Sequence, residues 1–332
     1  MMIDELWTIE KSWEWYRQQP WLIGCNFIPS TAINQLEMWQ ANTYDPVTIT
    51  RELGWAASLG FNTARVYLHD LAWLDDPEGF KKRIDHFLDI TIRYKIRPIF
   101  VLFDDCWYPE PVTGKQPEPK PGVHNSGWMQ GPGKKIVTDP TAWSRLADYV
   151  HDVVSRFATD ERILLWDVYN EPGNSLLGER SLGLLGTAFQ WVREAKPNQP
   201  VSAGVWSDLQ QLNDFQLASS DIITFHNYND VENLTSQIKD LKVIGRPLIC
   251  TEYMARILGS RFTTHLPVFK QERVGCINWG LVSGKTQTIF PWGSSEGDLE
   301  PVEWFHDIFH QDGSPYSQAE VDFIREITLP GK

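Results

Sequence analysis

Two segments of this 332-residue chain end an apolar run on a glutamate. One reads Trp166-Asp167-Val168-Tyr169-Asn170-Glu171-Pro172 and the other Ile249-Cys250-Thr251-Glu252-Tyr253. Read as β-strands, they put Glu171 and Glu252 where a strand gives way to a loop, which is where strand–helix barrels carry their chemistry. The two glutamates are 81 positions apart, or three strand–helix units of 27 residues, close to the ~30 per unit of a barrel of ~250 residues. Such spacing sets both carboxylates across one barrel mouth. Opposed carboxyl groups suit hydrolysis of a glycosidic bond, in which one donates a proton to the departing oxygen while the other attacks or stabilises the anomeric carbon. A lone glutamate at either place would read as a surface ion pair; a matched pair at two strand ends does not.

The scaffold that would hold this pair is visible in the remaining pattern. Short apolar runs bounded by turn or polar residues fall at 22–27, 61–68, 96–103, 163–169, 200–205, 222–225, 247–251 and 274–279, giving eight strand candidates. Several are almost continuously apolar, as expected of parallel strands covered on both faces. Amphipathic stretches lie at 47–59, 78–94, 141–157, 180–195, 231–243 and 263–272. Asp45-Pro46 and Asp139-Pro140 each offer an aspartate cap followed by proline at the first helical position. The alternation predicts a single α/β domain over 1–332, a (β/α)8 TIM barrel with a leading helix at about 7–19 and a closing one at about 318–327. One connection breaks the rhythm: positions 104–140, after the third strand, form a proline- and glycine-rich stretch of 37 residues. Loops of that length in a compact domain are usually functional lids or disordered. Trp107, Tyr108, His124 and Trp128 within it predict a segment that covers substrate.

Composition narrows the partners. With 42% hydrophobic and 22% charged residues the chain can bury a sizeable core. Its formal charge of −13 repels phosphate backbones and anionic lipid, so neither nucleic acid nor a membrane surface is an expected partner. The first residues show no basic stretch followed by an apolar one, and no window approaches the ~20 apolar residues of a membrane span, which makes the cytoplasm the expected location. Cys25, Cys106, Cys250 and Cys276 are widely spaced and read as buried free thiols. No Cys-x-x-Cys spacing occurs, and neither a catalytic metal nor a cofactor is expected. Gly284-Lys285-Thr286 resembles the end of a phosphate-binding loop, but only three residues separate Gly280 from Gly284 where that motif needs four. No strand candidate runs into a Gly-x-Ser-x-Gly nucleophile elbow, which removes the common esterase reading. The 16 tryptophans are more than packing obviously needs, and flat aromatic faces are one way to bind sugar rings.

Taken together these residues resemble the retaining glycoside hydrolases of the clan A barrels, most of all glycoside hydrolase family 5, the cellulase and mannanase family. The likeness runs over roughly 22–293 and rests on Arg65, Asn170-Glu171-Pro172, His226-x-Tyr228, Glu252 and Trp279 in this order. By resemblance Glu171 is the general acid/base, Glu252 the nucleophile, and Asn170 the partner of the sugar 2-hydroxyl. Arg65 and Tyr228 would support the nucleophile, and Trp279 would form the floor under the sugar. The chain departs from the pattern after the third strand, where the family usually shows a histidine and this sequence reads Phe103-Asp104-Asp105-Cys106-Trp107. Asp104 or Asp105 is then a candidate acceptor for sugar hydroxyls, and His69 a candidate replacement imidazole. In the loop after the eighth strand Lys285 is a candidate partner for an anionic sugar, and Trp292 a candidate stacking face for a neighbouring one.

The resemblance implies double displacement with retention, acting on oligosaccharides or glycoconjugates. On this reading the charge of Glu252 raises the pKa of Glu171 and keeps it protonated until Glu252 is esterified. A transglycosidase would use the same pair and exclude water. A catalytically silent glycan-binding barrel would not need two opposed carboxylates, and a metal-dependent sugar isomerase would lose activity to chelators.

Overall fold

The computed structural model describes residues 6–329. The start of the chain, read above for a leader segment, and the last three positions of the 1–332 unit lie outside the described residues. All eight expected strands form: β1 (Ile23–Asn26), β2 (Thr63–Tyr67), β3 (Arg97–Asp104), β4 (Leu165–Asn170), β5 (Val201–Ser202), β6 (Ile223–His226), β7 (Leu248–Tyr253) and β8 (Gly275–Asn278). They make one sheet in the order β5-β4-β3-β2-β1-β8-β7-β6, and every ladder is parallel. The sheet closes between β5 and β6 through a parallel bridge of Val205 to Phe225. There the Val205 amide donates to the Thr224 carbonyl at 3.0 Å and the His226 amide to the Val205 carbonyl at 3.0 Å. The result is the (β/α)8 barrel.

Alternation along each strand divides the residues between two environments. On β2, Ala64 and Val66 join the shell between strands and helices, while Arg65 and Tyr67 point into the barrel. The lower interior is an apolar plug that includes Leu22, Ile99, Leu165, Ile222, Ile249 and Ile277. The leading helix Ile9–Arg17 covers that end, with Trp13 and Tyr16 donating to the Gly245 and Arg273 carbonyls, each at 2.8 Å. Above the plug the interior turns polar, and at the open end it becomes aromatic.

The helices differ from expectation in several places. Helix Gln210–Ser219 between β5 and β6 was not anticipated, because its buried positions include Gln216 and Ser219 and so hide the apolar period. Gln216 is held by donating its amide to the Gly204 carbonyl at 2.5 Å. The segment expected as helix 141–157 opens as a 3-10 turn, Pro140–Ala142, and is α-helical only over Ser144–Phe157. The long stretch after β3 is ordered. It lies on the loop after β1, where the Asn34 side chain donates to Gln116 and to the Gly127 carbonyl, both at 2.8 Å. Among the described residues no helix is long and apolar enough to cross a membrane.

Candidate active site

At the carboxyl ends of the strands the barrel opens into a cavity of about 390 Å³ lined by Glu171, Glu252, His226, Tyr228 and Asn170, with Trp107, Trp128, Trp206, Trp279 and Trp292 among its walls. β4 delivers Asn170 on the strand and Glu171 just beyond it, with Glu171 at φ +43 in the left-handed region. A non-glycine residue held there stores strain, and such strain clusters at functional positions. β7 delivers Glu252 beside a shift of register between Cys250 and Tyr253, which turns its side chain toward the mouth. One oxygen of each carboxylate and a ring nitrogen of His226 lie within 4.8 Å of one another.

The two carboxylates have different surroundings. Glu252 Oε1 accepts from Arg65 and from the Tyr67 hydroxyl, both at 2.8 Å, and its Oε2 accepts from the Tyr228 hydroxyl at 2.8 Å. Arg65 is itself wholly buried and donates to Asp167 at 2.8 Å, to Asn26 at 3.0 Å and to the Asn170 carbonyl oxygen at 2.7 Å. Burial works against its charge, but Tyr67, Asp167 and Glu252 outweigh that and hold the guanidinium charged. Glu171 Oε1 lies 2.9 Å from His226 Nδ1, and its Oε2 accepts from the Cys106 thiol at 3.2 Å and the Asn174 amide at 2.6 Å. Among the described residues this trio of Glu171, His226 and Glu252 is where ligand-type side chains converge. Its oxygens are already committed to N–H, O–H and S–H donors, and a buried guanidinium touches one of them, which suits an acid–nucleophile pair better than a cation cradle.

Residues 122–284 match the family model described as Cellulase (glycosyl hydrolase family 5). No curated protein matches the chain in sequence. Similar solved structures include an exo-β-1,4-mannosidase from Opitutaceae bacterium strain TAV5, at TM-score 0.61 and 18% identity over 92% of this chain. This chain spans only 59% of that protein's length. An endo-1,4-β-D-mannanase from Thermotoga petrophila RKU-1 aligns at TM-score 0.59 and 17% identity, over 92% of this chain and 99% of that one. A family 5 mannosidase from Rhizomucor miehei aligns at TM-score 0.59 and 17% identity, over 94% and 93%. At such identities these structures speak for the fold. The matched segment, just under half of the chain, makes it similar to glycoside hydrolase family 5.

Several expected site residues sit elsewhere. Asp104 does not line the cavity; it accepts from the Asn170 amide at 2.9 Å, the Trp128 indole at 2.7 Å, Gln35 at 3.2 Å and the Cys106 backbone at 2.9 Å. Those donors occupy the lone pairs a sugar hydroxyl would need. Asp105 points away from the mouth, accepting from the Tyr169 hydroxyl at 2.6 Å, the Gly173 amide at 2.8 Å and the Ser181 hydroxyl at 2.5 Å, and so clamps the loop that follows Glu171. Burial pushes Asp104 up to about 6 and Asp105 up to about 7, against these hydrogen bonds. His69 caps helix Asp70–Asp75 and bonds the Gln130 carbonyl at 3.0 Å. The imidazole that reaches the cavity from this side is His124, lowered to about 4 by burial and therefore neutral. Lys285 is spent on an ion pair with Glu37 at 2.6 Å and lines no part of the cavity. Trp107, Trp279 and Trp292 do line it, Trp107 and Trp292 at the exposed rim.

The expectation for Glu171 is also corrected. Burial raises its carboxyl, but hydrogen bonding and charge from His226, with Cys106 and Asn174, outweigh burial and hold it below the ordinary value in the empty site. Sequence reasoning considered the charge of Glu252 and missed these donors. It also missed Tyr67, which alternation places on the same strand face as Arg65. Trp206 stands directly after β5, where the strand-end rule would have found it. All four cysteines are free and buried.

Proposed function

We propose that the chain is a retaining β-glycosidase that hydrolyses oligosaccharides or glycoconjugates by double displacement through a covalent glycosyl-enzyme. The observation that carries this is the separation of the pair: carboxylate oxygens within 4.8 Å leave no place for a water between nucleophile and anomeric carbon, whereas inverting sites need ~6.5–9.5 Å. Glu252, fed by three short donors, attacks the anomeric carbon as the glycosidic bond breaks. Glu171 protonates the departing oxygen. Donors hold that carboxyl low in the empty site, so bound substrate must draw a proton onto it before the leaving oxygen departs. In the second step Glu171 deprotonates the water that releases the sugar from Glu252. Tyr228, kept protonated by burial and the neighbouring glutamates, remains a donor throughout.

β-Mannosides are the first substrates to try, given the mannosidases and mannanase among the similar structures. Proton NMR of fresh product from an aryl β-glycoside should show the β-anomer first. Glu171→Ala and Glu252→Ala should each lose about 10²–10⁴-fold or more, and azide should restore Glu171→Ala as a β-glycosyl azide. Near-normal turnover in both variants, or an α-anomer as first product, would remove the assignment; transfer to added acceptors in place of hydrolysis would favour a transglycosidase.

A further inference from the structure

The lining of the cavity is lopsided. It draws on the ends of β3, β4, β5, β6, β7 and β8 and on nothing from the loops after β1 and β2. Those two loops are roofed by the segment after β3, which is stitched to the loop after β8. Gln287 donates to the Lys120 carbonyl at 2.7 Å and the Val123 carbonyl at 3.0 Å, and accepts from the Gly122 amide at 3.0 Å. The Asn125 amide donates to the Thr286 carbonyl at 2.8 Å, and His124 Nδ1 bonds the Phe290 carbonyl at 2.7 Å. The contact is close: a Cβ on Gly122 would come within 2.8 Å of the Asp298 backbone, and one on Gly127 within 2.4 Å of Ile33.

Beneath this seam Tyr67, Trp128 and Trp279 form an edge-to-face cluster with ring centroids 5.1, 5.7 and 5.9 Å apart. Behind Trp128 and Trp279 remains a void of only about 20 Å³, room for a single water. The leaving group must lie beside Glu171, on the side of Asn174 and Trp206 after β4 and β5. The sugar being cleaved therefore points its non-reducing end the other way, since β8 stands across the barrel from β4. That end meets the aromatic wall.

Resting on the glycosidase reading, we infer that the joined loops after β3 and β8 close the glycone side of the cleft behind one sugar, so that the enzyme removes single sugars from non-reducing ends. Specificity for a chain terminus is then set by Trp128 in the wall and by Gln287, which holds the wall shut. The rest of the substrate chain leaves on the Asn174 and Trp206 side.

The test compares an aryl β-monosaccharide with the aryl β-disaccharide of the same sugar. Direct release of the aryl group from the disaccharide needs two sugars on the glycone side. The expected first products are monosaccharide and aryl monosaccharide, with aryl release delayed and direct disaccharide release about 100-fold slower or less, as for a misplaced reacting centre. Disaccharide and aryl alcohol appearing together without lag, while the aryl monosaccharide is also cleaved, would overturn the closed wall alone. No cleavage of any aryl glycoside or oligosaccharide would instead defeat the underlying glycosidase reading. Gln287→Ala should leave aryl monosaccharide turnover near wild type and raise the fraction of direct disaccharide release about tenfold, and Trp128→Ala should raise that fraction too. The fraction is independent of how much protein folds, and an unchanged fraction in both variants would refute the role of the seam.

Discussion

The donors that hold Glu171 low make His226→Phe the most informative substitution. Phenylalanine keeps a planar ring in the pocket but removes the Nδ1 contact, 2.9 Å from Glu171 Oε1. Both partners are shielded, with side-chain exposures of 3% and 13%, so water cannot replace the lost donor freely. A hydrogen bond to a charged group contributes about 1.5–3 kcal/mol, and losing it lets burial push Glu171 upward. The sign follows from the role. As the proposed acid, Glu171 must carry a proton in the first step, so activity falls as pH rises through its pKa, and raising that pKa moves the fall to higher pH. The assay is kcat/KM against pH on an aryl β-glycoside with a poor leaving group, which reports the free enzyme. The basic limb should move to higher pH, whatever happens to the height of the profile. A strongly activated aryl leaving group, which needs no acid, should show the basic limb weakly in both proteins. A limb that stays put or moves down would refute the claim that His226 holds Glu171 low.

Other outcomes follow from the same coordinates. Burial raises Asp105 to about 7, so between its ordinary value and pH 7 the unfolded chain releases a proton that the folded chain keeps. Stability should therefore fall across that window, and urea unfolding of Asp105→Asn should show a decline smaller by a few kcal/mol; equal slopes would contradict it. Arg193 and Asp221 form a buried two-pronged pair of 2.7 and 2.8 Å beside the β5–β6 closure, and Arg193→Ala should lose about 3–5 kcal/mol in chemical denaturation, with a loss under about 1 kcal/mol counting against the pair. Lys285→Ala should change aryl glycoside turnover by less than about fivefold, because its partner is Glu37 and such part-exposed pairs contribute about 0–1 kcal/mol; a larger loss would restore a direct substrate contact.

Strand ends were the most legible part of this molecule. A run such as 163–169 is apolar because both faces of a parallel strand are covered, and the first polar residues after it fall at the mouth by geometry alone. Glu171 and Glu252 could be named for that reason, and Arg65, His226, Tyr228 and Trp279 through the resemblance to family 5; the structure brings the six together. Helix Gln210–Ser219 escaped because tertiary contacts let polar residues occupy its buried face.

Sequence by itself determined the alternation, the barrel and the two facing carboxyl groups, since each depends on local pattern and on the near-constant length of a strand–helix unit. Only the tertiary structure decided which polar groups face the cavity. Asp104, Asp105, His69 and Lys285 sit at positions as suitable in sequence as Cys106, His124 or Asn174, but the first four find protein partners and the others do not turn away. That choice, like the proton balance of Glu171 and the seam between distant loops, depends on donors that are brought together through space and leave no trace in the spacing along the chain.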